Sequence, residues 1–497
     1  MADWSGGYVT EVSYPYSYRS DMNPVRIRAL LTLAGYEMPT GSIVCELGFG
    51  QGVAINVHAC TQPDSLYVGT DFSPTQTGFA QTLQQQTGAE MLLVDESFEQ
   101  FCQREDLPSF DFIVAHGIWS WVSEENRRWI EHFVAKRLKV GGAFVFSYNA
   151  LPGWSVFAPV RDFMLHYADK ALPSSAPITD KLNAAMRQVE RMGAIPAHLS
   201  PLQHPLVEAR LQQMRLQDPN HLVHEYFNRD WQPMMFPQVA SRMQALKLDF
   251  VGSANPAKHL DSMNHAPDQL AYIQSIADPV LREYTKDLFA NTDFRVDIWV
   301  KGKRALPSLT HANRLAAMRF VLIQPLSQVR VAWVTPRGEA EPDPQDYAAM
   351  LSLLSDYQVH SVQALHDKAK ARSEDSFAVS LETVKALWAA NVIAPAQSSV
   401  QISTVLDRVQ VFNRYVIEQS LYDEKLAWLA SPITGGAITL SRRHLLCLLA
   451  LRLNMSQPEM MLAFVHQVEQ SQEASLDEIQ TFMAHQYPFL VSLCALS

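Results

Sequence analysis

Short apolar runs alternate with helical stretches over the first third of the chain. Nearly every position in five of these runs is apolar, which is typical of buried strands: SIVCEL (42–47), LYVGTDF (66–72), AEMLLVD (89–95), FDFIVAHG (110–117) and GAFVFSYN (142–149). Apolar residues recur at helical spacing over residues 24–36, 52–61, 74–87, 96–105 and 123–138. Apolar strands that alternate with helices predict a parallel sheet covered by helices on both faces.

The alternation stops after residue 150. Residues 155–245 have a mostly helical pattern that prolines interrupt, and strand patterns return at 248–254 and 294–302 on either side of a helical segment. We expect these two runs to be the last strands of the same sheet. The predicted fold is therefore α/β, with a seven-stranded, doubly wound (Rossmann-like) sheet and a large helical insertion.

The rest of the chain has mainly helical patterns. GEAEPDPQ (338–345) is typical of a linker, three short helical patterns over 346–395 suit a small winged-helix-like module, and residues 405–497 are helical in pattern throughout. We predict five units: a sheet core at 1–154 with an N-terminal segment that covers its site, a helical insertion at 155–247, the last strands at 248–302, a winged-helix-like domain at 303–395 and a C-terminal helical domain at 396–497.

Composition narrows the class of protein. A net charge of −11 without a basic cluster disfavours general nucleic-acid binding. No apolar run approaches the roughly 20 residues of a membrane span, and the polar, aromatic N-terminal stretch is unlike a signal peptide. The five cysteines are scattered without paired spacing, so we expect neither disulfides nor a zinc site, and a cytoplasmic location.

A glycine-rich turn follows the first predicted strand. CELGFGQGVAI (45–55) places Gly48, Gly50 and Gly52 directly after Glu46. Glycines at such a strand–helix turn let a ligand approach the backbone. Position 53 is Val rather than the Gly of a G-x-G-x-x-G dinucleotide motif, and no Lys follows to hold a phosphate, as a P-loop requires. The alternative is a tight turn without a ligand.

Acidic residues end the next two strands. Asp71 lies where a carboxylate accepts hydrogen bonds from both ribose hydroxyls, and Asp95 lies where an acid faces an adenine amino group, with Phe98 near the ring. Either acid alone could be a helix N-cap instead. Three consecutive strand ends with these residue types predict a cofactor cleft at the carboxyl edge of the sheet.

This ordered set resembles the class I S-adenosylmethionine-dependent methyltransferases. Four segments resemble those of bacterial methyltransferases with a methyltransferase regulatory domain, a group that includes lysine methyltransferases of outer-membrane proteins. The segments are YPYSYRSDMNP (14–24), CELGFGQG (45–52), AHGIWSWVSEENR (115–127) and SYNALPGW (147–154). HEYFNRDWQPMMF (224–236) through FRVDIWVKG is similar to the regulatory segment itself.

The resemblance implies S-adenosylmethionine as the cofactor, S-adenosylhomocysteine as its product and no metal. On the family pattern, Glu46 and the three glycines hold the methionine part, Asp71 the ribose, Asp95 the adenine, and Phe72 lies against the adenosine. The predicted cofactor-binding residues are Tyr14, Glu46, Gly48, Gly50, Gly52, Asp71, Phe72, Asp95, Ser97, Phe98, His116 and Gly117.

Aromatic and polar residues near the same sheet edge are candidates for the acceptor site. Desolvation among aromatic rings lowers the pKa of a lysine, which must lose its proton before it can accept a methyl group. The predicted catalytic residues are Tyr16, His116, Trp119, Tyr148, Asn149 and Trp154. All of them except Asn149 have an alternative: loop packing for the aromatic residues, an edge strand for the Tyr14–Tyr18 alternation, and a structural hydrogen bond for His116. His224 and Glu225 lack the spacing of an H-E-x-x-H zinc site.

The sequence thus predicts a methyltransferase that acts on lysine side chains of a protein, such as an outer-membrane or secreted protein. Alternatives are a small-molecule methyltransferase of the same fold, a cofactor-binding scaffold without turnover, and an aminopropyl transferase. We expect no nucleic-acid partner and no membrane insertion, and the C-terminal region could pair two copies of the chain.

Overall fold

A seven-stranded sheet lies at the centre of the protein. The computed structural model describes residues 9, 11–12, 14–197, 200–370, 376–494 and 496, so most of the predicted covering segment before Tyr14 lies outside the described residues. The strands are β1 (Ile43–Leu47), β2 (Leu66–Thr70), β3 (Glu90–Val94), β4 (Phe110–Ala115), β5 (Leu138–Asn149), β6 (Leu248–Ser253) and β7 (Phe294–Lys301). Their order is β3-β2-β1-β4-β5-β7-β6, which confirms the predicted sheet.

The chain switches from one side of β1 to the other between β3 and β4. Strands β1 to β5 pair in parallel, whereas β7 is antiparallel to both of its neighbours, β5 and β6. Successive strands run outward from β1 to β3 at one edge; β4 and β5 then extend the sheet on the other side of β1, β6 forms the far edge, and β7 inserts between β5 and β6. Ligands of such sheets bind at the carboxyl ends of the strands on either side of this switch point, which here are β1 and β4.

Helices cover both faces of the sheet. The first five are α1 (Pro24–Leu33), α2 (Val53–Thr61), α3 (Pro74–Gln84), α4 (Phe98–Gln103) and α5 (Glu124–Arg137). Successive strand residues belong to different hydrophobic clusters, as Val145 does on one face and Phe144 and Phe146 do on the other. This alternation is the reason that almost every strand position is apolar.

The helical insertion has its own hydrophobic cluster. Its helices are α6 (Leu151–Trp154), α7 (Ala158–Ala171), α8 (Ile178–Gly193), α9 (Pro205–Arg215) and α10 (Pro219–Tyr226). Trp154, Phe157 and Tyr226 are among the buried residues that join them. The next helix, α11 (Phe236–Ala245), packs instead on the sheet through Phe236 and neighbouring apolar residues.

Three helices separate β6 from β7, and a mixed unit follows. The separating helices are α12 (Asp261–Asn264), α13 (Pro267–Ser275) and α14 (Pro279–Ala290). The mixed unit contains α15 (Ser308–Ala317), β8 (Arg319–Leu322), β9 (Trp333–Thr335), β10 (Gly338–Ala340), α16 (Pro344–Leu354), β11 (His360–Ser361), α17 (Val362–Lys370), α18 (Phe377–Ala389) and β12 (Ile393–Pro395). Strands β11, β8 and β12 form a three-stranded sheet in that order, and the assignment of this unit as a winged-helix-like module stays a prediction.

The C-terminal region is not helical throughout, contrary to the expectation from its sequence pattern. It contains α19 (Ser399–Gln419), β13 (Trp428–Ser431), β14 (Gly436–Thr439), α20 (Arg442–Arg452), α21 (Pro458–Glu469), α22 (Leu476–Thr481), a π-helical turn (Phe482–Gln486) and α23 (Tyr487–Cys494). Strands β13 and β14 form an antiparallel hairpin whose turn includes Gly435 in the left-handed region. The prediction of helix was wrong over this hairpin.

The C-terminal region is hydrogen-bonded to the end of α2, next to the central sheet. Arg408 donates hydrogen bonds to the Cys60 carbonyl, at 2.7 Å, and to the Gln62 carbonyl. The Gln397 amide donates to the carbonyl of Thr61 at 2.9 Å. Because α2 begins at the glycine-rich turn, these bonds tie the C-terminal region to the element that positions the candidate site.

Candidate functional site

The glycine-rich turn forms one wall of a cavity at the carboxyl ends of β1 to β4. Gly48, Gly50 and Gly52 all have positive φ, at 72°, 57° and 70°. This left-handed backbone favours glycine, and a Cβ atom on Gly48 would also displace the side chain of Ile118. Gly48 and Gly50 line the cavity.

Gly52 has a different role from the one that we predicted. It lies outside the lining of the cavity, at the N-cap of α2. A Cβ atom there would collide with Ala80 of α3. Gly52 therefore allows two helices to pack closely rather than cradling a ligand.

Asp71 follows β2 and is hydrogen-bonded to the backbone of the glycine-rich turn. Its Oδ2 accepts a hydrogen bond from the Gly50 N–H at 2.9 Å, and its Oδ1 accepts one from the Ser73 N–H at 3.0 Å. Burial raises the pKa of Asp71 to about 6, against the lowering effect of these two bonds. Each carboxylate oxygen keeps a second lone pair, so Asp71 can still accept hydrogen bonds from ribose hydroxyls.

Glu46 lies in the same wall and is almost completely buried. Burial, reinforced by the negative charges of Asp21 and Asp71, raises its pKa to about 8. A protonated carboxyl donates one hydrogen bond and accepts others. At neutral pH Glu46 is therefore mainly a neutral donor and acceptor at the cavity wall.

Two acidic residues, Asp95 and Glu96, follow β3, and the one at the cavity is Glu96 rather than the predicted Asp95. Asp95 is exposed and outside the lining, whereas Glu96 lines the cavity. One Glu96 oxygen, Oε1, lies 2.9 Å from Nη1 of Arg104, and the other, Oε2, is buried without a hydrogen-bond partner among the described residues. An unpartnered acceptor at this place suits an adenine amino group. The N-cap of α4 is Ser97, whose Oγ accepts a hydrogen bond from Gln100.

His116 follows β4 and stands against the N-terminal segment. Its Nδ1 lies 2.9 Å from Oδ2 of Asp21, in the sequence YSYRSD. Burial alone would raise the pKa of Asp21, but His116, with Arg26 and Arg19, lowers it to about 2. Asp21 is therefore an anion at any physiological pH, and the pair attaches the N-terminal segment to the sheet edge.

A second, larger cavity adjoins the first. Its volume is about 650 Å³, within the size range of small-molecule pockets. Five residues line both cavities: Tyr14, Arg19, His116, Gly117 and Trp121. Asn149 and Trp154 line the second cavity. The second cavity is the candidate acceptor site because it shares this wall with the cofactor cavity.

Three of the predicted catalytic residues are not at either cavity. Trp119 is fully buried and packs on Phe146, with ring centroids 4.9 Å apart. The buried hydroxyl of Tyr148 donates to Oδ2 of Asp297 at 2.8 Å. Tyr16 packs against Phe79, at 4.9 Å between ring centroids. These side chains support the core and the packing around the site instead of forming a substrate cage.

Glu225 of α10 is a residue of the second cavity that the sequence interpretation set aside. It makes no ion pair within 4.0 Å and no regular hydrogen bond with any residue that the structure describes. Burial raises its pKa to about 7, opposed by Arg210, Arg161, the Asn149 amide and Arg19. The Asn149 amide is close enough to lower this pKa but does not reach hydrogen-bond geometry.

Comparisons with known proteins agree with this architecture. Residues 218–301 match the family model described as a predicted methyltransferase regulatory domain. An uncharacterized protein of Synechocystis sp., sll1526, is 33% identical over 480 residues, which cover 94% of this chain and 91% of the relative. The chain belongs to the S-adenosylmethionine-dependent methyltransferases that carry this regulatory domain. An uncharacterized Rickettsia prowazekii protein, RP789, is 25% identical over 297 residues, 58% of this chain and 50% of that protein.

The fold of this methyltransferase is also found in a solved structure. PKMT2 from Rickettsia typhi, solved in complex with AdoHcy, has a TM-score of 0.69 and 18% identity, and the match covers 96% of this chain and 98% of PKMT2. At this identity the likeness concerns the fold. It extends over nearly the whole chain, so the helical insertion and the C-terminal region belong to the shared architecture.

Most of the predicted cofactor residues of this methyltransferase surround one cavity. Those that line it are Tyr14, Glu46, Gly48, Gly50, Asp71, Phe72, Ser97, Phe98, His116 and Gly117. The sequence interpretation missed Arg19 and Glu96 at this cavity, and Asp21 and Arg210 at the second. Among the described residues, no group of three or more His, Cys, Asp or Glu side chains is placed to hold a metal ion. No helix within the described ranges has the length and apolar character of a membrane span.

Proposed function

We propose that this methyltransferase transfers the methyl group of S-adenosylmethionine to the ε-amino group of lysine in a protein, with an outer-membrane or secreted protein as the acceptor class. One observation carries the proposal. The acceptor cavity of about 650 Å³ adjoins a further cavity of about 340 Å³, and Tyr18, Ser20 and Arg26 line both. This further cavity reaches the edges of β12 and β14 in the C-terminal region. A polypeptide with one lysine side chain turned inward would have room along this series of adjoining cavities.

The residues of the first cavity suit the cofactor. Asp71 would hold the ribose hydroxyls, the unpartnered Oε2 of Glu96 would accept from the adenine amino group, and the backbone at Gly48 and Gly50 would lie against the methionine part. The bound cofactor supplies a methyl group on a positively charged sulfur, which an amine displaces in line. The AdoHcy bound in the Rickettsia typhi PKMT2 structure supports this assignment.

The shared wall would bring donor and acceptor together. Tyr14, His116 and Trp121 border both cavities, so an amino group in the second cavity would approach a methyl group in the first beside these side chains. In-line transfer depends mainly on such positioning and on the exclusion of water. Aromatic faces beside the sulfonium tolerate its positive charge.

A small-molecule methyltransferase is the competing function. An enclosed pocket over Trp119, Tyr148 and Trp154 would favour it, but Trp119 and Tyr148 lie in the core. The lining of the acceptor cavity comes from the N-terminal segment, the sheet edge and helices α9 and α10 of the insertion. This breadth favours a large acceptor over one that a short lid would enclose.

Labelled methyl transfer tests the proposal. The protein is incubated with methyl-labelled S-adenosylmethionine and a bacterial extract that ultrafiltration has divided into protein and small-molecule fractions. We expect label in the protein fraction and methyllysine after acid hydrolysis, both suppressed by S-adenosylhomocysteine. Label that is confined to the small-molecule fraction would replace the proposal with the competing function.

A further inference from the structure

We propose that Glu225 accepts the proton of the amino group that is methylated, so that the segment matched by the regulatory-domain family supplies a catalytic residue. This inference rests on the proposed function, since it takes the acceptor to be an amine. It gives the segment at 218–301 a direct part in the reaction, beyond any regulation of it.

The geometry presents Glu225 as an available carboxylate. Helix α10 brings it into the cavity that shares a wall with the cofactor cavity. The nearby arginines bind elsewhere: Arg210 pairs with Asp293 at 3.0 Å, and Arg161 donates to the carbonyl of Asn228 at 2.6 Å. Within the described ranges Glu225 forms no ion pair, which is unusual for a partly buried acid.

The charges around Glu225 suit proton transfer near neutral pH. Burial raises the pKa of this carboxyl to about 7, even though three arginines lower it. The titratable and charged groups that face it or share its cavity are Tyr14, Tyr18, Arg19 and Asp21 of the N-terminal segment, Arg26 of α1, His116 after β4, Arg161 of α7, Arg210 of α9, His221, His224 and Tyr226 of α10, and Asp293 before β7. The guanidinium groups among them disfavour a further cation, so they favour the neutral amine over the ammonium.

The reaction balances without any other reactant. The Glu225 carboxylate takes a proton from the ammonium, which leaves a neutral amine and a neutral carboxyl. The amine nitrogen then forms a bond to the methyl carbon as the carbon–sulfur bond breaks, and the electron pair stays on sulfur. The products are a methylammonium group and S-adenosylhomocysteine, and Glu225 returns its proton to solvent.

His116 is the rival proton acceptor because it lines both cavities. Its Nδ1 lies against the ionised Asp21 at 2.9 Å, an arrangement that attaches the N-terminal segment. Glu225 has no such structural partner among the described residues. The experiment must therefore compare the two residues directly.

The test measures the pH profile of methyl transfer for the full-length protein, in wild type and in Glu225→Gln, with a protein acceptor that the labelling experiment identifies. We expect kcat to fall by about 100-fold or more, as for loss of a general base, with a much smaller change in KM. The acidic limb of the wild-type profile, centred near the pKa of about 7, is expected to vanish in the variant. Glu225→Asp should keep the limb at a reduced rate. Glu208→Gln, on the exposed side of α9, is the matched control for the same chemical change.

A second readout does not need an acceptor. The infrared difference spectrum of wild type minus Glu225→Gln should contain the C=O band of a protonated carboxyl, which disappears as the pH rises through 7. Subtraction of the variant removes the contribution of the other carboxyls whose pKa burial raises, among them Glu46, Asp71 and Asp297. Calorimetry with S-adenosylhomocysteine checks that the variant keeps an intact cofactor cavity.

The outcomes separate this inference from the proposed function. If no amine acceptor is found but the band titrates near pH 7, the proposed function fails while the carboxyl is still placed as described. If methyllysine forms and Glu225→Gln keeps both the rate and the acidic limb, the inference is wrong. If the acidic limb of the pH profile is lost in His116→Gln but kept in Glu225→Gln, His116 is the proton acceptor and the inference is wrong.

Discussion

Replacement of Gly52 by alanine separates helix packing from cofactor binding. Gly52 has φ of 70°, and a Cβ atom there would collide with Cβ of Ala80 and lie 3.2 Å from its Cα. The neighbouring Asn56 amide already bridges Gly52 and Ala80, with bonds of 2.8 and 3.1 Å to their carbonyls. Helices α2 and α3 would have to move apart to admit the new methyl group.

The stability cost of Gly52→Ala has two parts, backbone strain and overpacking, and other glycine variants of the same chain separate them. A left-handed conformation costs an alanine about 1–2 kcal/mol, and overpacking adds about 1–3 kcal/mol, so Gly52→Ala should lower the free energy of unfolding by about 2–5 kcal/mol. Gly141 has φ of 83°, and a Cβ atom there would have no neighbour within 4 Å, so Gly141→Ala should cost only the first part. Gly78 of α3 is unstrained and open, and Gly78→Ala should stabilise the helix by about 0.5–1 kcal/mol.

Urea unfolding, followed by fluorescence and by circular dichroism, measures these differences where the two transitions coincide. S-adenosylhomocysteine affinity of the folded Gly52→Ala variant should equal that of wild type, because Gly52 is outside the cavity. A cost no greater than that of Gly141→Ala would refute the packing argument. Loss of affinity in a folded variant would show that Gly52 contacts the cofactor after all.

Three further predictions concern the cofactor cavity and its support. Burial raises the pKa of Asp71 to about 6, and S-adenosylhomocysteine binding favours the ionised form of this carboxyl. The affinity measured by calorimetry should therefore fall by up to about tenfold for each pH unit below 6. Asp71→Asn should flatten this pH dependence. Glu96→Ala should weaken binding by about tenfold or more and the exposed Asp95→Ala by less than about twofold, and equal effects would reverse our correction of the adenine contact. Arg408→Ala should cost about 1.5–3 kcal/mol and increase amide exchange in α2 and α19, whereas unchanged exchange would show that these bonds do not hold the C-terminal region.

The central sheet could be predicted because both of its faces are buried. Each strand is then a continuous apolar run, and such runs are visible without knowledge of the tertiary contacts. The hairpin of β13 and β14 could not be found by the same signal because its strands are short and lie beside long helices. Its local sequence signal is the Gly435–Gly436 pair at the turn, and this pair was overlooked because the sequence on both sides has a helical pattern.

Side-chain direction explains the errors at the site. In β5, Phe144, Phe146 and Tyr148 point to the same face because side chains alternate along a strand, and that face is core. Asn149 points the other way, to the acceptor cavity. This period of two could have excluded Tyr148 from the catalytic set. Glu225 offered no comparable signal, since the fold of the helical insertion alone decides that α10 meets the sheet edge.

Calorimetric titration of S-adenosylhomocysteine into wild type and Asp71→Ala tests the central claim most directly, namely that the cavity at the ends of β1 to β4 binds the cofactor through Asp71. The account predicts saturable binding of one molecule per chain by wild type. In Asp71→Ala the affinity should be lower by about tenfold to a hundredfold, because a buried carboxylate acceptor is lost. No saturable binding by wild type, or equal affinity in a folded Asp71→Ala variant, would contradict the account.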